Sequence, residues 1–322
     1  MDCLFIIKPK TQFMKAKILS LAAIVFSSSL IFTACQKNAS NDTDYNNEST
    51  VHSDDQSRFS GEMDAVSDDA AGTLDATPGF TGRGNEVQTL ICNATVVVDT
   101  LSNPRTITIT YNGNNCMNTR SRTGVVVISM AQGVRWKNPG AVVNVNIQNL
   151  RITRLSDNKS ITINGTHTYT NVSGGLLINL PTLGTITHTL TSNNMSVTFD
   201  NNTQRTWQVA KQRTFTYNNG IVVTATGMHA EGGITGIAEW GTNRFGHSFT
   251  TAITTPLVVR QDCNFRLTSG VVTHVTTGFN AVVTFGLDSN GNPTTCPGTG
   301  SYYMKIVWTG PGGNPHTIIW PY

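Results

Sequence analysis

Two carboxylates, Glu231 and Glu239, flank the turn Gly232-Gly233, and Trp240 follows the second of them. A pair of carboxyl groups beside an aromatic platform suits glycoside hydrolysis. One acid protonates the leaving oxygen while the other attacks or activates water, and a tryptophan face stacks on the sugar ring. Two histidines, His167 and His188, sit mid-strand in matching Thr-His-Thr settings. If their strands pair as a hairpin, the two imidazoles face each other and could hold a divalent metal. The ordinary role of such a histidine is packing, so the expected metal set is none beyond this pair. Asp288-Ser289-Asn290-Gly291-Asn292 is similar to the start of a calcium loop but lacks the later acidic ligand, so it reads as a turn. The chain has no HExxH and no phosphate loop, and Gly246-His247-Ser248-Phe249-Thr250 departs from GxSxG at its last position. No catalytic residue and no cofactor is therefore assigned.

The N-terminus carries chemistry of another kind. From Met14 the chain supplies Lys15 and Lys17, an apolar run to Phe32, and the small pair Thr33-Ala34 before Cys35. That order is the secretory one, and the run falls short of the roughly 20 residues that a spanning helix needs. Met14 is the expected start of translation and 1–34 the expected signal peptide. Thr33-Ala34-Cys35 resembles the bacterial lipobox, with Phe32 standing where Leu is usual. The resemblance implies a diacylglyceryl and palmitate-bearing Cys35, with the lipid bilayer as partner. Several acyl chains on one residue give a stable anchor.

Export sets the reading of the remaining cysteines. Cys92, Cys116, Cys263 and Cys296 are an even set in an oxidising compartment, and none has the tight spacing of a zinc knuckle. The three possible connectivities stay open. The local pairs Cys92–Cys116 and Cys263–Cys296 are favoured, because each closes a short loop and clamps one end of the domain.

The overall charge of +3 hides two unlike parts. Residues 35–80 are rich in Asp, Asn, Ser and Ala and nearly free of Val and Ile, which predicts a lipidated, solvated, disordered acidic tether. A short helix over Gly61–Ala71, with Met63 and Val66 on one side, is the one element conceivable there. Residues 81–322 are basic, but their Lys and Arg are scattered singly. That pattern serves solubility and, with export, excludes nucleic acid as a partner.

Period-two alternation runs through 81–322 almost without interruption, with Gly, Asn and Pro at the junctions. Arg105–Tyr111 alternates Ile107, Ile109 and Tyr111 against three threonines, and Ala141–Leu150 alternates Val and Ile against Asn and Gln. Thr185–Thr191 and Met195–Phe199 read as two strands broken at Ser192-Asn193-Asn194, and Arg151–Leu155 as a strand of its own. Short connections force antiparallel neighbours. The expected fold is all-β: an antiparallel meander forming a sandwich or a curved double-layered sheet, in one unit or in two halves with a seam near 174–184. Its polar face is Thr and Asn rather than Lys and Glu, which suits hydroxyl-rich partners.

This order of features resembles the β-rich lipoproteins of the Bacteroidota. The motifs that carry it are the lipobox, the acidic stretch, Cys92 before a first hairpin, the Thr-Ile-Thr-Ile strand, Cys116, and Arg122-Thr123-Gly124-Val125-Val126-Val127. Ile163-Asn164-Gly165-Thr166-His167-Thr168 and the late pair of cysteines fit the same picture. The resemblance supports fold and address and implies no activity. The expectation is a cell-envelope protein anchored to the outer membrane, periplasmic or surface-facing. Its β domain would bind a glycan or protein, adhere, or serve structure. A carbohydrate-active hydrolase or glycan-binding module using Glu231, Glu239 and exposed Trp such as Trp240 is the alternative.

Overall fold

The computed structural model describes residues 45–81, 91–296, 300–309 and 313–322. The lipobox, Cys35 and the expected signal peptide lie outside these residues. The described residues include three α-helices: α1 (Tyr45–Ala76), α2 (Pro78–Thr81) and α3 (Leu180–Leu183). The strands of the first half are β1 (Ala94–Asp99), β2 (Arg105–Asn114), β3 (Arg120–Met130), β4 (Ala141–Arg154), β5 (Ser160–Asn171), β6 (Thr185–Phe199) and β7 (Gln204–Tyr217). Then come β8 (Ile221–Gly227), β9 (His229–Glu231), β10 (Ile234–Thr242), β11 (Ser248–Arg260), β12 (Arg266–Thr276), β13 (Phe279–Leu287), β14 (Tyr303–Thr309) and β15 (Pro315–Pro321).

All fifteen strands belong to one antiparallel sheet, and the expected all-β meander is what the chain forms. Neighbours in sequence are neighbours in the sheet except at one place. There β8 and β10 share the row between β7 and β11, and β9 pairs with β10 as a hairpin at the break. β5 pairs with β6 directly, Thr170 opposite Thr189, so the sheet runs unbroken past residues 172–184. Cys92–Cys116 and Cys263–Cys296 both sit at disulfide distance, with Cα atoms 5.2 Å apart in each pair.

The sheet is bent by a line of bulges. Register shifts fall between Thr123 and Val125 in β3, Ile147 and Leu150 in β4, Asn164 and Thr166 in β5, and Thr191 and Met195 in β6. These shifts lie side by side across four strands. Each inserts extra backbone and sharpens the local twist. Glycine is required on the line: a Cβ at Gly124 would meet the Asn149 carbonyl oxygen at 2.5 Å, and one at Gly165 the Met195 Cα at 2.7 Å. The bulges also explain why the Asn-rich breaks at 149 and 192–194 read as turns, although β4 and β6 pass straight through them.

The curl has an occupant. Residues 45–76, expected as a solvated tether, form α1 and lie in the concavity. The apolar residues Phe59, Met63, Val66, Ala70 and Leu74 recur at helical spacing and are buried against Ile109, Val126, Ile147, Ile163 and Val209. Burying side chains of this size contributes roughly 1.5–3 kcal/mol each. That apolar stripe is what a disordered assignment overlooks: the segment is poor in hydrophobic residues overall, but the few present share one face. A second apolar cluster, with Ile186, Phe215, Val259, Leu267, Val283 and Phe285, fills the C-terminal half.

The curl of the sheet follows from two contacts. α1 touches β12 through His52 and β2 through Asp69. Along the sheet, β2 and β12 are eight rows apart, or about 38 Å at about 4.8 Å per row. Along the helix the two contacts are about 26 Å apart at 1.5 Å per residue. The sheet must therefore curl around the helix to meet it at both ends.

Candidate functional site

The first part of α1, ahead of the apolar stripe that begins at Phe59, is held by charge. On the same helical face, Glu48, His52, Asp55, Gln56 and Glu62 are buried. Each meets a group from the sheet. Glu48 accepts from Asn243 Nδ2 at 2.8 Å and pairs with His247 Nδ1 at 2.6 Å. Asp55 accepts from Arg244 Nε at 2.6 Å, and that guanidinium lies 3.6 Å from the centre of the Phe199 ring. Glu62 pairs with Arg120 at 2.6 Å, and Asp69 takes both Arg122 at 2.7 Å and the Tyr111 hydroxyl at 2.8 Å. Arg120, Arg122, Arg205 and Arg244, which look scattered in the sequence, converge on the acidic helix. Charge segregation between α1 and the domain is thus an internal complementarity.

Gln56 links the helix to the most buried charges of the sheet. Its amide donates to Glu239 Oε2 at 2.6 Å, and its oxygen accepts from Arg205 Nη2 at 2.6 Å. Glu239 also takes Trp207 Nε1 at 3.1 Å and is paired with Lys211. Burial opposes the charge on Glu239, but Lys211, Trp207 and Arg205 together outweigh it and hold the carboxyl below its ordinary pKa. Arg205 is 1% exposed. Among the described residues no acceptor reaches its Nε or Nη1, but the rings of Phe249 and Phe59 lie 4.8 and 5.5 Å from the guanidinium carbon.

Beside this cluster, His52 Nε2 lies 3.1 Å from His274 Nε2, and His274 Nδ1 is 2.8 Å from Thr251 Oγ1. A hydrogen bond between two ring nitrogens needs at least one imidazole neutral. Burial pushes His274 down to about 4, helped by Arg205, and pushes His52 well below 6.5, helped by His274 and Arg205. Both rings are neutral near pH 7. The arrangement is a buried polar lock between helix and sheet, with His52, His274 and Arg205 each no more than 2% exposed.

The candidate residues from the sequence separate in the structure. Glu239 points into the trough. Its neighbour Trp240 points out, where it stacks on His229 with ring centres 3.9 Å apart. Glu231 is on that outer side too, 65% exposed at its side chain and 3.5 Å from His229. The two carboxylates stand on opposite faces of the sheet and cannot flank one glycosidic bond. The expected pair of histidines is not formed either. His167 lies opposite Ser192 and His188 opposite Asn171, about 13 Å apart along the strand. His167 packs on Trp207 and His188 on Trp136 and Phe215, and burial lowers them to about 3 and about 4. Of the five tryptophans, Trp207 is buried in the trough and Trp320, on the edge strand β15, is 41% exposed. Among the described residues the only His/Cys/Asp/Glu group of metal-binding size is Asp262, Cys263 and Cys296, whose cysteines are joined to each other.

What the sheet does present is its outer face. Register sets Thr106, Ser129, Asn144, Thr168 and Thr191 side by side across β2 to β6. The next row is Thr108, Val127, Asn146 and Thr166. Within the first row Thr168 Oγ1 donates to Asn144 Oδ1 at 2.8 Å. Five hydroxyl and amide groups thus form an uncharged ladder about 19 Å wide at strand spacing. The sequence hinted at this face through its Thr and Asn alternation, but only the register shows that the groups align.

No family model, no curated protein and no solved structure matches this chain.

Proposed function

We propose that this chain is a lipoprotein of the bacterial outer membrane, anchored through an acylated Cys35, whose β domain is a non-enzymatic binding module. Its ligand is a neutral, hydroxyl-rich molecule of the glycan class, taken on the outer face of β2 to β6. The observation that carries this reading is the aligned row Thr106, Ser129, Asn144, Thr168 and Thr191. Regularly spaced hydroxyls and amides can donate to and accept from sugar hydroxyls without desolvating a charge. Catalysis finds no support: Glu239 is engaged by Lys211, Gln56 and Trp207, and Glu231 stands on the opposite face of the sheet beside His229. The anchoring part rests on Met14 to Cys35 and the resemblance to Bacteroidota lipoproteins.

A glycan array with the wild-type protein and the variants Asn144→Lys and Thr168→Lys tests the binding face. The expected result is retention of neutral glycans by the wild type and at least a tenfold loss of affinity in either variant, about 1.4 kcal/mol or more. Equal retention by both variants, with thermal stability unchanged, sinks the assignment of this face.

A further inference from the structure

The start of α1 lies at one end of the sheet. Glu48 is bonded to Asn243 and His247 in the turn between β10 and β11. Register puts the turns before β3, β5, β7 and β13 at that same end: Asn114 pairs with Ser121, Thr153 with Ser160, Thr198 with Gln204, and Thr276 with Phe279. Two large apolar side chains stand out of this rim, Met117 at 82% and Phe245 at 44% exposure. The opposite end carries an apolar knob, residues 176–183. There Ile178 is 67% and Leu183 50% exposed, while Leu180 is buried beneath them. Asn171 fastens the knob's base by donating to the Trp136 and Gly175 carbonyls.

Chain length decides which end can meet lipid. Cys35 and Tyr45 are ten residue steps apart, so fully extended backbone spans at most about 35 Å between them. β6 alone, Thr185–Phe199, separates knob from rim by about 45 Å at about 3.3 Å per residue. Were the knob seated in the bilayer with the strands upright, the start of α1 would stand about 45 Å above the surface, beyond the reach of an anchor at Cys35. With the rim down, the same anchor has length to spare.

We propose that the turn rim around the start of α1, led by Phe245 and Met117, rests on the lipid surface that holds Cys35, and that the knob at 176–183 faces away from it. The inference rests on the anchoring role of Cys35. An aromatic ring and a flexible thioether at a turn rim suit the boundary between headgroups and acyl chains. With the strands upright, the outer ladder of β2 to β6 runs parallel to the membrane plane and clear of it, open to a ligand approaching from the side.

The test uses full-length protein purified from membranes, with a polarity-sensitive fluorophore on a single introduced thiol. Phe245→Cys, Met117→Cys and Ile178→Cys give three probe positions, all at exposed side chains. Each labelled protein is placed in vesicles of phosphatidylethanolamine and phosphatidylglycerol containing a lipid-borne quencher. The expected result is loss of about half the emission at 245 and 117 and none at 178. Quenching at 178, alone or with the others, overturns the orientation. Absence of quenching at all three sites, in protein that floats with vesicles and carries a diacylglyceryl mass on Cys35, overturns the orientation while the anchor stands. Absence of lipid mass on Cys35 removes the anchor and the orientation together.

Discussion

Replacing Glu239 by Gln removes one negative charge from the trough and almost no volume. In the folded protein that carboxylate faces Lys211, Arg205, Trp207 and Gln56, and it is buried. An amide oxygen can still accept from Trp207 and Gln56. It cannot neutralise Lys211 or offset Arg205, and one amide N–H is forced towards a cation. Removing one partner of a buried ion pair costs about 3–5 kcal/mol, because the survivor is left charged without water. The Lys211 side chain keeps 14% of its exposure and can lean towards solvent, so the low end applies, about 3 kcal/mol. Equilibrium urea denaturation reads this directly. With a slope near the upper end of the usual 1–3 kcal/mol/M, the midpoint should fall by about 1 M. Glu231→Gln, on the outer face with only His229 nearby, should leave the midpoint within about 0.2 M, since surface changes of this kind stay within about 0.5 kcal/mol. Equal midpoints for the two variants would refute the argument that Glu239 is a buried structural charge.

Other consequences follow from the same contacts. Folded His52, His167, His188 and His274 hold their protons less tightly than the unfolded chain does. The unfolded state therefore binds more protons below about pH 6.5, and stability should fall steadily from pH 6.5 towards pH 4. His274→Gln should make that decline shallower in a urea series run at stepped pH; an unchanged slope would contradict the neutral His52–His274 contact. Phe59→Ala removes a ring buried among Trp207, Arg205 and the sheet, and should cost about 3–5 kcal/mol by the same denaturation assay. A loss below about 1 kcal/mol would mean that α1 is not part of the core. Opening Cys92–Cys116 or Cys263–Cys296, whose ends are 24 and 33 positions apart, should cost about 3–4 kcal/mol each. Non-reducing peptide mapping that links Cys116 to Cys263 would exclude both pairings.

The strands were legible because alternation is a local property. Ile107, Ile109 and Tyr111 face the core and Thr106, Thr108 and Thr110 face out, as the pattern of that stretch alone requires. The bulges were not, because an inserted Asn looks the same in a bulge and in a turn; Asn149 and Asn194 adopt positive φ within continuous strands. The helix was hidden for a different reason. The face of α1 is continuous from Glu48 through His52, Asp55, Phe59, Met63, Val66 and Ala70 to Leu74, but its first half is polar. A scan for apolar periodicity sees only the second half. The missing information was the partners of Glu48 and Asp55, and those partners, Asn243, Arg244 and His247, lie almost two hundred positions away. The candidate acids failed on parity. Two residues can be close in sequence around a turn and still project from opposite faces, as Glu231 and Glu239 do.

The docking of α1 as part of the β domain is the central feature of this fold. Hydrogen exchange on the full-length protein measures this most directly. Peptides covering residues 52–74 should exchange as slowly as those from β4, β5 and β6, because their amides open only when the trough itself unfolds. Exchange of 52–74 at the rate of an unstructured chain, with the strands protected, would return the segment to a solvated tether and contradict the structure's central contact.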